Sequence, residues 1–295
     1  MKLYKTTITP ISNFATTLKG DTLFGQMCWS IKYAFKEEKL KELLSGYEDS
    51  PFMIVSDGFA SGYLPKPKMP SLLLGEISDE KKQNRKKIWL TVTQLQNGEF
   101  VQAKTDKEVN NNNKTAQVVR NSINYKTFTT TDDGAFAPYG EKELFLSSKD
   151  IYFLIDETKF SLEELQKSFE QLSLHGYGKD TTIGKGRFEF KEFKEVNFSN
   201  ESKTFMTLSP FSPQGLECKE IYYEPFTRFG KLGGDRAFKN AFKKPIILAD
   251  SGSVVHFESK QNLQYIGTAI KDISTAHSDT VHQGYSIVVP IKELS

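Results

Sequence analysis

The chain has 295 residues, and its 39 lysines and arginines nearly balance 37 aspartates and glutamates, which leaves a formal net charge of +2 at pH 7. This length suits one large domain or two domains of roughly 100 to 200 residues, and the small net charge gives no argument for a polyanionic partner. No stretch approaches the roughly 18 apolar residues of a membrane span, and the first residues lack a signal-peptide core. We therefore expect a soluble, cytoplasmic protein without membrane contact.

The first quarter of the chain predicts a strand followed by helices. Apolar and polar residues alternate over residues 2–9, and Pro10 stops the strand. Asp21 is the predicted N-cap of the first helix, because apolar residues then recur at three- and four-residue spacing. They are Leu23, Phe24, Met27, Cys28, Ile31, Ala34 and Phe35. A short charged helix over residues 37–44 is predicted next.

The middle of the chain predicts a projecting arm. Residues 81–87 form a basic run that we interpret as a surface loop, and the Asn-rich residues 106–115 lack periodicity, which predicts a mobile insertion. Residues 89–92 and 121–131 favour β-structure. We therefore expect a hairpin-like insertion near residues 80–140.

A second strand and helix follow. Residues 151–155 form an apolar run of strand length, and Ser161 with Glu164 forms a capping box for a helix that ends at Gly176. A glycine-rich loop then leads into a strand with alternating phenylalanines. The resulting order, βα…ββαβ, is typical of a ferredoxin-like split βαβ unit.

The second half of the chain predicts mainly strands. They span residues 205–208, 221–223, 246–249, 254–257 and 285–289. This half also ends on a glycine segment followed by a strand. We therefore expect two related domains of the α+β class, over residues 1–198 and 199–295.

The few cysteines and histidines argue against a metal site. Cys28 and Cys218 lie far apart, so neither a CxxC knuckle nor a disulfide framework is available. The four histidines show neither HxxxH nor HxH spacing. The sequence therefore predicts no metal and no cofactor.

The segment from Gly176 to Arg187 has four glycines, two lysines and one arginine. Glycines let a backbone approach a ligand and turn its N–H groups toward phosphate. Walker A and Rossmann motifs open a helix, whereas Gly184 and Lys185 precede a strand, which disfavours nucleotide triphosphates. We predict contact with phosphate or an RNA backbone, the alternative being a turn that only joins helix to strand.

Residues 222–236 interleave aromatic residues, glycines and cations. Single-stranded RNA is held by this combination, because bases stack on aromatic or guanidinium faces while cations meet phosphates. The segment predicts contact with nucleic acid or with protein.

Two acid–base candidates have simpler structural explanations. His175 lies beside the glycine loop, and histidines serve as general acids or bases in RNA cleavage. Such a residue more often ends a helix. Asp21 could ligate a metal or act as a base, but the N-cap role is the preferred interpretation.

Six segments carry a family resemblance. They are residues 18–26, 62–67, 120–124, the glycine loop, residues 224–231 and residues 282–285. In this order they resemble the RAMP superfamily of CRISPR proteins, and within it the fourth Csm subunits of type III-A effector complexes. The Asn-rich insertion has no match in the family.

The resemblance implies two ferredoxin-like (RRM-like) domains with glycine-rich loops and a projecting β-hairpin thumb. It also implies a non-catalytic subunit that binds the five-prime repeat-derived tag of the CRISPR RNA (crRNA) and bridges the large polymerase/cyclase-like subunit to the backbone RAMP subunits in antiviral defence. Residues 120–131 align with the thumb, which implies contact with target RNA. Asp21 is the nearest counterpart of the acidic residue with which the backbone subunit cleaves its target, but no catalytic role is predicted for it here.

The resemblance assigns RNA binding chiefly to the glycine loop. The residues implied there are Gly176, Gly178, Lys179, Thr181, Gly184, Lys185, Gly186 and Arg187. Further candidates are Phe226, Arg228, Lys231, Arg236, His282, Gln283, Gly284, Lys19, Arg120, Asn121 and Asn124.

Two other functions stay open from the sequence. One is a metal-independent endoribonuclease of the RAMP repeat-processing type, in which a histidine with Tyr177 or Lys179 activates the ribose hydroxyl. The other is a protein-interaction subunit whose glycine loop contacts no RNA.

Overall fold

The computed structural model describes residues 1–76, 78–198, 200–238 and 240–293. Residue 199, at the predicted domain boundary, and residues 294 and 295 lie outside the described residues. The described part combines α-helices with antiparallel sheets, which confirms the predicted α+β class. None of its helices is long and apolar enough to cross a membrane.

The first half contains five helices and eleven strands among its described residues. In chain order they are β1 (Lys2–Pro10), α1 (Gly20–Ser45), β2 (Met53–Val55), β3 (Phe59–Ala60), β4 (Leu64–Pro65), α2 (Lys81–Asn84), β5 (Lys87–Leu90), α3 (Val92–Asn97), β6 (Lys104–Thr105), α4 (Asp106–Val109), β7 (Lys114–Arg120), β8 (Tyr139–Phe145), β9 (Lys149–Ile155), α5 (Leu162–His175), β10 (Phe188–Phe190) and β11 (Lys194–Glu195).

The main sheet of the first half has the strand order β10-β1-β9-β2, with β11 paired to β1 and β3 paired to β9. Every residue of β9 is buried, as expected for a central strand. The register pairs Leu3 with Leu154 and Ile8 with Lys149. The elements of this sheet follow the βα…ββαβ order predicted from the sequence.

Helix α5 begins and ends where the sequence predicts. Glu164 N donates to Ser161 Oγ at 3.2 Å, and Ser161 N donates to Glu164 Oε2 at 2.8 Å, which completes the capping box. The buried face includes Leu165, Phe169 and Leu172. Gly176 follows the last turn with a φ of 92°.

Helix α1 confirms one prediction and corrects another. It is interrupted at Lys36, which has a φ of 74°, so it consists of the two helical segments expected from the periodicity. Asp21 is not the N-cap, because that position belongs to Lys19, whose side chain makes no capping hydrogen bond. The Asp21 carboxylate is instead occupied by a distant arginine, described below.

The insertion is more regular than its composition suggested. Strands β7 and β8 form a hairpin, which we call the first hairpin, and the β-prone residues 121–131 lie in its connection rather than in a strand. The Asn-rich residues begin with helix α4, and Asn110 Oδ1 accepts hydrogen bonds from Lys149 Nζ at 2.8 Å and Ser147 Oγ at 2.9 Å. The segment that we predict to be a mobile insertion thus contains a short helix and side-chain hydrogen bonds to Ser147 and Lys149. The basic run also contains a helical turn, α2.

The second half is built from strands. They are β12 (Ser202–Thr207), β13 (Glu220–Tyr222), β14 (Pro225–Arg228), β15 (Ile246–Ala249), β16 (Val254–Gln261), β17 (Tyr265–Gly267) and β18 (Tyr285–Pro290). Each of the five predicted strands overlaps one of them. Five strands form an antiparallel sheet in the order β13-β16-β12-β18-β17, and β14 pairs with β15 as a separate ribbon. The described residues of this half form no α-helix, whereas a ferredoxin-like unit has two.

The two halves share one apolar core. Met206, Val254 and Ile287 from the second half belong to the same buried cluster as the strands of the first sheet. At the edge of that sheet, Val55 N donates to Gln283 Oε1 at 2.9 Å, and Gln283 Nε2 donates to Val55 O at 2.8 Å. The fully buried Gln283 side chain thus joins the halves by a pair of hydrogen bonds.

Lys149 should make stability depend on alkaline pH. It is 5% exposed, and burial lowers its pKa from 10.5 to about 8. Between these values the unfolded chain binds the proton that the folded chain has lost, so the free energy of unfolding rises with pH. We expect wild type to gain up to about 3 kcal/mol relative to Lys149→Met across this range, measured by denaturant titration at several pH values.

The matched control is Lys142→Met, which removes an exposed lysine from β8. Its difference from wild type should stay constant with pH. Parallel pH curves for wild type and Lys149→Met would contradict the assignment.

Candidate nucleic-acid interface

The glycine loop, residues 176–187, is closed by its own backbone. Tyr177 N donates to Gly186 O at 2.8 Å, and Gly186 N donates to Asn13 O at 2.8 Å. A Cβ on Gly186, whose φ is 75°, would lie 2.1 Å from the Tyr177 carbonyl oxygen, so only glycine fits there. A Cβ on Gly184 would meet no atom within 4 Å. Gly186 therefore closes the loop, whereas the tip around Gly184 is open to solvent.

Buried Tyr177 anchors the loop to the segment between β1 and α1. Its hydroxyl donates to Thr17 O at 2.7 Å and accepts from Lys19 N at 3.3 Å. The backbone amides of Gly178 and Lys179 donate to side-chain oxygens of this segment and of α1, each at 3.0 Å. These two amides therefore do not face a ligand, contrary to the expectation for a phosphate-binding loop.

A charge-balanced ion network fastens the glycine loop to the first hairpin. Its members are Arg120, Lys179, Lys185, Glu141, Glu143 and Asp180. Lys185 is 2% exposed, and its Nζ lies 3.2–3.3 Å from all three carboxylates. Hydrogen bonds from Arg120 and Lys179 hold the pKa values of Glu143 and Glu141 below their usual range. Three cations and three carboxylates thus neutralise one another.

This network changes the roles of the predicted glycine-loop residues. Lys185 is predicted to meet phosphate, but here it is buried and paired with three carboxylates, so its contact with RNA stays a prediction. Arg120 is likewise shared between Glu141 and Glu143. Arg187 is exposed and makes no ion pair among the described residues.

A second cluster lies under the ribbon of β14 and β15. Arg228 Nε donates to Asp21 Oδ2 and Arg228 Nη2 to Asp21 Oδ1, both at 2.6 Å. His282 Nε2 lies 3.4 Å from Asp21 Oδ2. Burial would raise the pKa of Asp21, but His282 and Arg228 outweigh it and hold that pKa well below its usual range. Burial lowers the pKa of His282, and the Asp21 carboxylate and the Arg228 guanidinium form a buried ion pair.

Lys19 and Phe226 belong to the same interior. Lys19 Nζ lies 2.9 Å from Asp57 Oδ2 and 2.6 Å from Asp250 Oδ1. It also lies 5.0 Å from the centroid of the Phe226 ring, over which Arg228 lies at 4.8 Å. Three predicted RNA contacts are therefore engaged within the protein.

The predicted C-terminal contacts are buried. Gln283 bonds to Val55 as described, and His282 is 5% exposed. A Cβ on Gly284 would lie 2.1 Å from the Thr268 carbonyl oxygen, so this glycine allows two backbones to approach. The sequence from His282 to Gly284 thus lies in the packing between the halves, and its assignment to an RNA-binding surface stays a prediction.

The remaining candidates lie at the surface. Asn121 and Lys231 are exposed, and Asn124 N donates to Thr129 O at 3.0 Å in a turn of the first hairpin. Arg236 is bidentate to Asp279, at 2.8 and 2.6 Å. The structure therefore separates the predicted site into exposed positions and internal ones.

Sequence reasoning missed the carboxylates that neutralise these cations. Glu141 and Glu143 are two residues apart on β8, and this spacing places both on one face of a strand. That signal was available from the sequence. No sequence signal indicated that Asp57 and Asp250 pair with Lys19, because only the tertiary fold brings them together.

The family model described as the RAMP superfamily matches residues 16–189, which include α1, the first hairpin and the glycine loop. The chain belongs to the RAMP superfamily. No match to this RAMP chain was found among curated proteins.

Solved structures share the fold over the whole chain. A chain of the Csm1–Csm4 cassette in complex with AMPPNP matches with a TM-score of 0.59 and 17% identity, over 100% of this chain and 99% of that chain. A chain of the cassette in complex with cA4 gives 0.61 and 16%, over 99% of each. A chain of the Csm3–Csm4 subcomplex in the type III-A CRISPR-Cas interference complex gives 0.62 and 16%, over 99% of this chain and 100% of that chain.

Removing Arg228 should strand a buried charge. We expect Arg228→Met to lower the free energy of unfolding by about 3–5 kcal/mol, because the buried Asp21 carboxylate loses both hydrogen bonds from the guanidinium and its opposite charge. The double variant Asp21→Asn with Arg228→Met should recover much of this loss. Denaturant unfolding gives the free energy of unfolding of wild type, the single variant and the double variant. The control is Arg187→Met, an exposed change whose free energy of unfolding should lie within about 0.5 kcal/mol of wild type. Equal losses in the single and double variants would rule out the charge explanation.

Lys185 should hold the first hairpin in place. Lys185→Gln leaves three carboxylates facing two cations, so we expect the connection over residues 121–138 to be cut several-fold faster in limited proteolysis. Arg187→Gln, an exposed change in the same loop, is the matched control. Indistinguishable cleavage rates for the two variants would refute the anchoring role.

Proposed function

We propose that this chain is a non-catalytic RNA-binding subunit of a type III-A CRISPR (Csm) interference complex. In this role it binds the five-prime repeat-derived tag of crRNA and bridges the large polymerase-like subunit to the backbone RAMP subunits in antiviral defence. The carrying observation is the full-length fold likeness to chains of both Csm1–Csm4 and Csm3–Csm4 complexes. Csm4 is the component common to the two, which favours this subunit over the other members of the superfamily.

The sheet order supports a ferredoxin-like first half. Four antiparallel strands in the order β10-β1-β9-β2, with helices after the first and third strands in sequence, form a split βαβ unit. We infer that the first hairpin is the thumb. Tyr125 and Phe128 in its connection are 77% and 84% exposed, and exposed aromatic rings of this kind suit contact with bases at the edge of a guide–target duplex.

The positions of the acid–base candidates favour a scaffold over the endoribonuclease. His175 Nδ1 lies 2.7 Å from Gln171 O, within its own helix. Tyr177 is fully buried, and burial raises the pKa of its hydroxyl. Asp21 is held by Arg228. Tyr177 and Asp21 are therefore not placed to deprotonate a ribose hydroxyl, which must come within hydrogen-bond reach.

The ion network narrows the surface on which the tag can lie. Since Lys185 and Arg120 are neutralised internally, we place the tag along the exposed tip of the glycine loop, residues 181–184, and the side chain of Arg187. Lys179, which is half-exposed and bonded to Glu141, borders this surface. Arginine binds phosphate bidentately, so Arg187 is the strongest single contact we assign.

Binding of tag RNA tests the proposal. Purified chain is incubated with end-labelled repeat-tag RNA or a scrambled control, over a salt series with Mg²⁺ or EDTA, and run on native and denaturing gels. We expect tag preference, intact RNA, and log K falling with log salt by roughly 0.7 per phosphate neutralised. Arg187→Gln should weaken binding and reduce this slope by roughly 0.7.

Two outcomes would count against the proposal. RNA cleaved in EDTA would establish the metal-independent endoribonuclease instead. Equal, salt-insensitive binding of tag and scrambled RNA would leave a protein-interaction subunit as the better explanation.

A further inference from the structure

The ribbon of β14 and β15 extends into a longer structure, which we call the second hairpin, described over residues 225–238 and 240–249. Beyond the paired strands, Lys243 N donates to Gly230 O at 2.8 Å and Leu232 N donates to Ala241 O at 2.7 Å. Its inner face is buried through Leu232, Ala241 and Leu248. The tip lies against α1, where Lys32 Nζ is 3.0 Å from Asp235 Oδ2. The hairpin is therefore fixed to the protein by one face only.

The outer face of the second hairpin is apolar and uncovered. Phe229 and Phe242 are each 74% exposed, and Ile247 is 71% exposed. Monomeric proteins rarely expose such side chains together without a partner. The face therefore has the character of a binding surface.

Charge distinguishes this face from the glycine loop. The two strands, residues 225–232 and 241–249, contain no aspartate or glutamate, and their exposed cations are Lys231 and Lys244. Neither lysine makes an ion pair among the described residues. Unlike the neutralised ion network, this face carries an uncompensated positive charge and suits an anionic ligand.

Rings and cations alternate across the ribbon. Lys231 pairs with Phe242 in an isolated bridge, and its Nζ lies 5.6 Å from the centroid of that ring. Phe229 precedes Lys231 by two residues and Lys244 follows Phe242 by two residues, and all four side chains are exposed. This arrangement offers stacking faces flanked by cations.

We infer that the outer face of the second hairpin is a platform for single-stranded RNA, on which bases stack on Phe229 and Phe242 while phosphates contact Lys231 and Lys244. Stacking on aromatic side chains tolerates any base, so the platform holds a strand without reading its sequence. A purely apolar protein interface would not require lysines between the rings. The inference is independent of tag recognition at the glycine loop.

Fluorescence anisotropy with the full chain and a short labelled oligouridylate tests the platform. Phe229→Leu with Phe242→Leu keeps the apolar surface but removes the rings, and we expect affinity to fall about tenfold or more. Lys231→Gln with Lys244→Gln should reduce the salt slope by roughly 1.4. A photo-crosslink from 4-thiouridine should map to residues 225–249.

The control separates this inference from the proposed function. Arg187→Gln should weaken binding of tag RNA yet leave oligouridylate binding unchanged, so either site can fail alone. Unchanged oligouridylate affinity in the Phe→Leu double variant would overturn the platform. Loss of co-purification with the large or backbone subunit in Phe229→Ala with Phe242→Ala, with RNA binding intact, would assign the face to protein contact instead. Because the altered side chains are exposed, we expect the unfolding midpoint of each variant to equal that of wild type. Measuring this midpoint checks that each variant folds.

Discussion

The ion pair between Asp21 and Arg228 lies where the start of α1, strand β14 and the segment before β18 meet. Both hydrogen bonds of the guanidinium go to one buried carboxylate, which ties the start of α1 in the first half of the chain to β14 in the second half. The His282 ring lies 3.4 Å from the same carboxylate. The seating of the second hairpin over α1, and hence the direction of its outer face, depends on this contact.

The net charge of +2 does not show that the carboxylates are distributed unevenly over the protein. Glu141 and Glu143 of strand β8 form ion pairs with cations of the glycine loop and of β7. These pairs connect the glycine loop to the first hairpin. The strands of the second hairpin supply no carboxylate at all. A lysine or arginine can therefore bind a polyanion only where the fold places no carboxylate beside it. The position of a cation in the sequence does not show whether such a carboxylate is present.

Local signals predicted local structure well. The capping box of Ser161 and Glu164 and the apolar run of β9 depend on neighbours within a few residues, and the structure confirms both. Residues 121–131 have β-prone composition, but strand pairing is decided across the hairpin, and it places them in the connection. Asp21 followed a local rule for helix caps, yet its carboxylate is bound by a residue 207 positions away. The exposure of the candidate site residues was the hardest property to predict from the sequence. Lys185 and Gln283 are buried only because distant segments of the chain pack over them.

The side chain of Gln283 also affects whether the edge of the first sheet can pair with a strand of a second molecule. Strand β2 is the edge of the first sheet, and an edge strand with free N–H and C=O groups is a template for another strand. Gln283 takes both groups of Val55, and the Tyr47 hydroxyl donates to Met53 O at 3.1 Å. The β2 edge is therefore covered by side chains of the same polypeptide, which hinders pairing of this edge with a strand of a second molecule.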